Sequence, residues 1–396
     1  MTDTTTDAPL IRVDDDPAEL PLEAWNALLA ASPLPSPFMR LEYLRALQAS
    51  GSAVAKTGWQ AQFLSVWQDD QLIAACPAYV KGHSYGEYVF DWAWADAYQR
   101  HGLDYYPKLL VAVPFTPVPG SRLLARDDEA RAWLVKGLRA LAQRAELSSI
   151  HVLFGDAKDQ AVMAAEGWLA RQQVQFHWTG DGTPRSFADY LQTLQREKRK
   201  KIQQEQRKVV EAGIRFEALR GSAITQQDWD FFYECYTLTY LAHHNKPYLK
   251  RDFFARMAAN LPEQWLMFMA RDKQGERVAA SLVAIDEGQR AAYGRYWGAT
   301  RYIPHLHFDA CYYQPLAWCL AQGWLRFEGG AQGEHKMARG LLPVTTHSSH
   351  WLAHPQFREA VAEFLAREGD AMGSYIDELE RHQPFKAGAG ADALDR

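Results

Sequence analysis

Gln62-Phe63-Leu64-Ser65-Val66-Trp67 runs through the polar turn Asp69-Asp70 into Leu72-Ile73-Ala74-Ala75-Cys76. The pattern returns far downstream. Met267-Phe268-Met269-Ala270-Arg271-Asp272 passes through Lys273-Gln274-Gly275 into Arg277-Val278-Ala279-Ala280-Ser281. Phe63 and Phe268, Ile73 and Val278, and Ala75 and Ala280 are each 205 positions apart. Two apolar runs joined by a short polar turn read as a β-hairpin. A second pair of segments agrees: Pro37-Phe38-Met39-Arg40-Leu41-Glu42-Tyr43-Leu44 lines up with Pro247-Tyr248-Leu249-Lys250-Arg251-Asp252-Phe253-Phe254 at a spacing of 210. A looser third sets Trp94-Ala95-Asp96 with Tyr105-Tyr106 against Trp297-Gly298-Ala299 with Tyr312-Tyr313. The common order predicts two like domains in tandem.

The chain has 396 residues, long for one core and ample for two. It is 47% apolar and 23% charged, the composition of a soluble globular protein. A net charge of −5 argues against general coating of nucleic acid but permits a local basic patch. Cys76, Cys235, Cys311 and Cys319 form no C-x-x-C pair, which points to a reduced, cytoplasmic protein. The N-terminus is polar and acidic and does not read as a signal peptide. No apolar run reaches the ~18 residues of a transmembrane helix.

Helices are expected over 21–31, 39–50, 127–146, 187–211, 226–242, 250–259, 308–322 and 356–380. Strands are expected over 61–68, 72–81, 149–154, 214–218, 265–271, 277–286, 290–297 and 325–328. Gly213 reads as a helix stop. Residues 1–18 and the tail from Gln383, with Ala387 to Ala391, read as peripheral or frayed. The Gly-, Thr- and Pro-containing stretch 179–186 reads as a linker. It divides a first domain over 19–178 from a second over 187–382. The class is α/β (α+β), with a mixed sheet flanked by helices in each half.

The richest chemistry lies between Phe327 and Gly340. Four glycines and Glu328, Glu334, His335, Lys336 and Arg339 follow a strand there. Glycines after a strand let backbone N–H groups approach an anion. A lysine can stabilise an oxyanion, and a carboxylate or imidazole can move a proton. A charged surface loop has the same composition. Phe154-Gly155-Asp156-Ala157-Lys158, its counterpart, is poorer.

Arg196, Lys198, Arg199, Lys200, Lys201, Arg207 and Lys208 face Glu197 and Glu205 on one predicted helix, seven basic against two acidic. Such a helix suits a polyanion, or is a solvated face. Four consecutive cations point around a helix, so one face cannot hold Lys198 to Lys201. His305 and His307, with Asp309 nearby, could line a substrate cleft, serve the structure or hold a metal; no HExxH or CxxC accompanies them. Tyr293 to Tyr302 alternates aromatics, as a cleft wall or a buried strand would. There is no G-x-S-x-G, P-loop or G-x-G-x-x-G.

Three of these stretches resemble the FemAB-like branch of the GNAT acyltransferase superfamily. They are Arg196-Glu197-Lys198-Arg199-Lys200-Lys201; Tyr296-Trp297-Gly298-Ala299 with Tyr312-Tyr313-Gln314; and Gly323-Trp324-Leu325-Arg326-Phe327-Glu328-Gly329-Gly330 with Gly333-Glu334-His335-Lys336. The likeness covers roughly residues 20–380. It implies tandem GNAT-like domains and acyl transfer from an activated donor to an amine. In the Fem ligases the donor is an aminoacyl-tRNA and the acceptor a peptidoglycan precursor. Lys336 stands where those enzymes have an oxyanion-steadying lysine. The GNAT pyrophosphate loop, [QR]-x-x-G-x-[GA], is not evident between Tyr296 and Tyr312, and there is no room for the long helical hairpin of some Fem ligases. Acyl-CoA and aminoacyl-tRNA both stay open as co-substrates, with no tightly bound cofactor.

The expected site has Lys336, Glu334 and His335 as catalytic groups. Glu328, Arg339, Tyr296, Trp297, His307 and Tyr313 hold the acceptor, a small molecule or peptide. Arg196, Lys198, Arg199, Lys200 and Lys201 contact the donor, a tRNA among the choices. No metal is expected. The alternative is a non-catalytic binding module for a nucleotide- or peptide-linked precursor.

Overall fold

A computed structural model describes residues 8–330 and 333–386. The expected frayed ends at 1–7 and 387–396 lie outside the described residues. The chain divides into two compact units, Met1–Gln173 with Thr346–Gly373 and Val174–Thr345 with Ser374–Arg396. This is not the expected division at 179–186. The chain leaves the first unit inside the strand Leu169–Thr179 and returns inside the strand Leu342–Leu352. Residues 180–186 lie within the second unit.

In the first unit Phe63–Gln68 and Gln71–Cys76 form the expected hairpin. Asp69 and Asp70 both have positive φ (50° and 60°), as in the type I′ turns that match strand twist. Leu10–Asp14, expected to be peripheral, pairs antiparallel with Phe63–Gln68. The expected strand 72–81 is two strands, because Pro77 has no N–H for a ladder. Ala78–Lys81 pairs instead with Gln60–Ala61 and Lys108–Val111. Lys108–Val111 runs parallel to Ser149–Leu153, which pairs antiparallel with Ser348 to Leu352. The helix Asp128–Arg144 buries Leu134, Val135 and Leu138 in a core with Leu64, Val66, Ile73 and Ile150.

In the second unit Arg215–Arg220, Trp265–Arg271, Arg277–Asp286 and Ala291–Ala299 follow one another antiparallel. Arg326–Glu328 joins parallel to Ala291–Ala299 and pairs on its other side with His177 to Thr179. Trp265 to Ala270 is buried throughout because both sheet faces are covered. Leu266 and Phe268 face a core with Tyr190, Ile202, Leu316 and Phe327. Trp265 faces the opposite way, toward Trp229 of the helix Gln226–Ala242, with ring centroids 6.3 Å apart.

The two hairpins share a detail that sequence alignment blurs. Each has a register shift close to its turn, at Val66/Trp67 and at Ala270/Arg271. Trp67 pairs with Leu72, whereas Arg271 pairs with Arg277, so the second turn is one residue longer. In the second turn Asp272 Oδ1 accepts from Gln274 N and Glu276 N. The 205 spacing therefore holds on the second strand of each hairpin and becomes 204 on the first. Helices Leu41–Ala49 and Arg251–Asn260 precede the two hairpins, as the second match requires. The third match fails: Trp94 lies on the helix Trp92–Arg100 and Trp297 on a strand.

The expected helix 187–211 is two, Phe187–Thr193 and Arg196–Glu211. The break at Leu194 forms a bridge with Phe385, and Gln195 N donates to Pro384 O. Residues 383–386, expected to fray, are thus held.

Gly298 lies where the helix Gln226–Ala242 presses on the sheet. A Cβ there would stand 2.0 Å from the carbonyl oxygen of Cys235. Thr239 Oγ1 closes the contact by donating to Trp297 O at 2.9 Å. Gly298→Ala must push the helix away and should cost about 1–3 kcal/mol, read as a lower urea midpoint. An unchanged midpoint would contradict this packing.

Candidate active site

The site grows from the C-terminal end of the strand Arg326–Glu328. Gly329 and Gly330 follow, and Glu334–Arg339 then forms a 3-10 helix. Ala331 and Gln332 of the expected glycine-rich loop lie outside the described residues. The helix ends at Gly340, whose φ is 87° and whose added Cβ would lie 1.7 Å from Tyr190 Oη. Only glycine fits both the left-handed backbone and that contact.

Opposite stands an unusual helix. His305 has φ 67°, Leu306–Phe308 makes one turn, and Asp309–Tyr313 widens into a π-turn before Gln314–Ala321. The cause is local: Pro315 has no N–H to give to the carbonyl of Cys311. Such widened turns concentrate at functional sites. Here Asp309, Tyr312 and Tyr313 are all buried.

A buried ion pair joins these pieces. Arg339 Nη2 lies 3.0 Å from Glu205 Oε2 on the helix Arg196–Glu211, both side chains being about 5% exposed or less. Tyr313 Oη donates to the same carboxylate oxygen. Arg339 Nη1 donates to His335 O at 2.6 Å, and its guanidinium lies 3.8 Å from the Phe308 ring centre. Arg339 and Tyr313, expected at the substrate, are therefore inside the protein. They fix the 3-10 helix and the π-turn to the basic helix.

Lys336 is 3% exposed. Its Nζ donates to Gly330 O at 2.8 Å, and no ion pair with a carboxylate forms among the described residues. Burial lowers its pKa to about 8, opposed by Cys311. Near enough to feel its charge, rings form a chain. Trp297 lies 5.2 Å from His307, His307 lies 5.8 Å from Tyr312, and His335 lies 5.6 Å from Phe308 and 5.8 Å from Tyr312. Tyr312 Oη and His335 Nε2 are 3.3 Å apart. Burial, then the charges of Arg339 and Lys336, lowers the His335 pKa. His307 shifts the same way through burial and the neighbouring His335, Arg339 and Lys336. Both shifts favour the neutral imidazole, the form that accepts a proton.

The other expected residues are dispersed. Glu334 is exposed and accepts from Tyr375 Oη at 2.6 Å. Glu328 is buried, its Oε1 lying 3.0 Å from Arg326 Nε and its Oε2 3.7 Å from His177. Tyr296 and Trp297 cannot form one wall, because neighbouring strand residues point to opposite faces. Tyr296 packs on Tyr236 at 5.3 Å and Phe254 at 6.0 Å, away from His307.

The basic helix buries Ile202, Glu205 and Val209. At about 100° per residue, Arg196, Lys200 and Arg207 project on the opposite side. These three and Lys201 and Lys208 are exposed, whereas Lys198 and Arg199 are half-buried. Arg199 Nη1 donates to Gln192 Oε1 at 3.1 Å, and none of these cations pairs with a carboxylate among the described residues.

Asp309 was visible only as a neighbour of the histidines. It is 3% exposed, accepts from Gln314 Nε2 at 2.9 Å, and has its pKa raised by burial to about 6. The sequence signal for it was Pro315, which a helix over 308–322 passes over. Among the described residues no group of three or more His, Cys, Asp or Glu could hold a metal ion.

A profile of the family described as peptidoglycan biosynthesis/recognition, FemAB-like, matches residues 16–387. The chain belongs to the FemAB-like family. No curated protein matches its sequence. Among solved structures it is similar to L-PGS from Bacillus licheniformis, with 12% identity and a TM-score of 0.55 over 89% of this chain and 99% of that one. It is also similar to FemX, with 10% identity and a TM-score of 0.53 over 87% and 99%. At these identities the likeness is one of fold, a mixed α/β architecture.

Two measurements test the site's electrostatics. Arg339→Ala strands the buried Glu205 charge and should cost about 3–5 kcal/mol in chemical denaturation. A double Glu205→Leu, Arg339→Met variant should recover much of that, and no recovery would refute the pairing. Lys336 ionises near 10.5 when unfolded and near 8 when folded. The folded chain binds this proton more weakly, so this group's contribution to stability rises as pH climbs from about 8 to 10.5. The Lys336 Cε shift should titrate near 8; a midpoint near 10.5 would rule the burial effect out.

Proposed function

We propose that this protein is a cytoplasmic N-acyltransferase. It moves an acyl or aminoacyl group from acyl-CoA or aminoacyl-tRNA to an amine, with a cell-wall peptide as acceptor. The observation that carries the reading is Lys336: a buried amine, without a carboxylate partner among the described residues, whose charge acts on the imidazoles of His307 and His335. The family's association with peptidoglycan and the fold shared with FemX support it.

The chemistry requires no protein nucleophile. A neutral amine attacks the donor carbonyl carbon, and a C–N bond forms while the carbonyl oxygen becomes an oxyanion. Lys336 donates to that oxygen where charge develops. The C–S or C–O bond to the carrier then breaks, and the carrier leaves with the electron pair. The amine's proton passes to His335, whose imidazole faces Tyr312 and His307 in the ring cluster, whereas the Glu334 carboxylate is held by Tyr375. Arg339 acts by positioning, since its guanidinium holds the His335 carbonyl. Trp297 and His307 line the acceptor side. The outward row Arg196, Lys200 and Arg207 meets the phosphates of the donor.

Lys336→Ala should lower turnover about 10²–10³-fold. A folded variant within about twofold of the parent would end the assignment. Activity should fall as pH rises through about 8, because Lys336 then loses its proton. Lys336→Arg should move that limb upward. A triple Arg196→Glu, Lys200→Glu, Arg207→Glu variant should raise KM for the true donor and flatten its salt dependence. Testing it with acyl-CoA and aminoacyl-tRNA in turn identifies the donor. Precursor binding with no transfer from either would favour a non-catalytic binding module.

A further inference from the structure

The first unit is closed by a pair of histidines that the acyl-transfer site does not use. His151 on the strand Ser149–Leu153 stands directly opposite His350 on the strand Leu342–Leu352. Each is 1% exposed, and their Nδ1 atoms are 2.7 Å apart. This contact joins the two stretches of chain from which the unit is assembled, Met1–Gln173 and Thr346–Gly373. The outer nitrogens are engaged as well. His151 Nε2 lies 2.8 Å from Ser149 Oγ and 3.0 Å from Tyr105 Oη, and His350 Nε2 lies 2.9 Å from Ser348 Oγ. Trp94 packs against both rings, its centroid 5.9 Å from His151 and 4.9 Å from His350.

Two facing ring nitrogens hold one proton between them. With that proton on His151, its Nε2 accepts from Ser149, and His350 Nε2 donates to Ser348. With it on His350, His151 Nε2 donates to Tyr105, and His350 Nε2 accepts from Ser348. Either way every ring nitrogen is satisfied while both imidazoles stay neutral. One more proton makes a buried cation. Two more set N–H against N–H at 2.7 Å, and the strands must part.

The surroundings resist even the first. Lys108 on the strand Lys108–Val111 is fully buried and Arg171 on the strand Leu169–Thr179 is 8% exposed, and both charges act on the pair. Asp91, just before the helix Trp92–Arg100, favours a charged His151, but its Oδ2 already accepts from Lys108 Nζ and, at 2.6 Å, from Tyr105 Oη. Glu87 Oε2 accepts from Lys108 Nζ at 2.8 Å, and Glu368 holds Arg171 at 2.8 and 2.7 Å. Burial first, then Lys108, lowers the His151 pKa to about 3. Burial, then His151, Arg171 and Lys108, takes His350 well below its ordinary value.

We infer that His151 and His350 form an acid-opened latch: proton uptake by the facing pair parts Ser348 to Leu352 from Ser149–Leu153 and frees the returning stretch of the first unit. Once parted, both imidazoles regain an ordinary pKa of about 6.5. The open state then binds more protons, so the latch is firm above about 6.5 and weakens as pH falls from there toward about 3. From pH 7 to 5 the His151 proton alone favours opening roughly 20-fold, and His350 multiplies that. Glu87 has the opposite sign. Burial raises its pKa to about 7, so the folded chain holds this proton more tightly and gains stability as pH falls. The latch is therefore read at the two strands and not in a global unfolding midpoint. It lies wholly in the first unit and does not rest on the acyltransferase reading.

Hydrogen exchange of the full chain at pH 7 and pH 5, corrected for intrinsic rates, tests this. Amides of 149–153 and 348–352 should lose protection roughly 20-fold or more, while Trp265–Arg271 in the second unit keeps its own. His350→Asn leaves a polar group facing His151 but cannot take up a proton. It should reduce the pH dependence of opening to that of about one proton. Should that variant fail to fold, the local pattern in the parent still decides. Protection of the two strands that is unchanged at pH 5 overturns the proposal. Equal loss in both units does so too, as does a folded His350→Asn variant with the parent's full pH dependence.

Discussion

The pairing of Glu205 with Arg339 organises the second unit's chemistry. Each charge is costly to bury alone, and together they join three elements distant in sequence. The basic helix contributes Glu205, the π-turn contributes Tyr313 to the same carboxylate, and the 3-10 helix contributes Arg339, which also holds the His335 carbonyl. His335 and Lys336 are thereby oriented from behind by groups that do not reach the surface. A carboxylate inside a strongly basic helix looks at first like an interruption of charge. Its value is that the helix can dock its buried face on the site while Arg196, Lys200 and Arg207 stay in water.

Much of the fold was legible because hydrophobic period reports burial directly. The strands Trp265–Arg271 and Arg277–Asp286 and the helix Gln226–Ala242 lie where their patterns place them. Failures fall where one residue overrides a period. Pro77 splits a strand, Pro315 widens a helix, and Leu194 leaves the helical ladder to bridge Phe385. Leu10–Asp14 was masked by its acidic neighbours, since an edge strand needs little apolar sequence of its own.

The site was legible in composition and less so in geometry. The loop after Arg326–Glu328 does place Lys336 and His335 together with His307 and Trp297. Adjacency in sequence nevertheless suggested that all its charges act alike. Glu328, Arg339 and Tyr313 turned inward to satisfy partners, which no local pattern encodes. Tyr296 is turned to the far face by the alternation of the strand that carries Trp297. The first unit was undervalued for the opposite reason. Lys108, Glu87 and Asp91 are scattered singly among aromatics, and only folding gathers them.

The route of the chain has a practical side. The first unit is assembled from two stretches separated by most of the second. A fragment cut at the glycine-containing connection near residue 180 would lack Ser348 to Leu352, the antiparallel partner of Ser149–Leu153. Every residue of that strand is buried in the intact protein. Severed, it would present a bare apolar edge to its neighbours in solution, the usual seed of precipitation. The halves resemble separable modules on paper, but the chain is laced so that neither can be expressed as a simple N- or C-terminal piece.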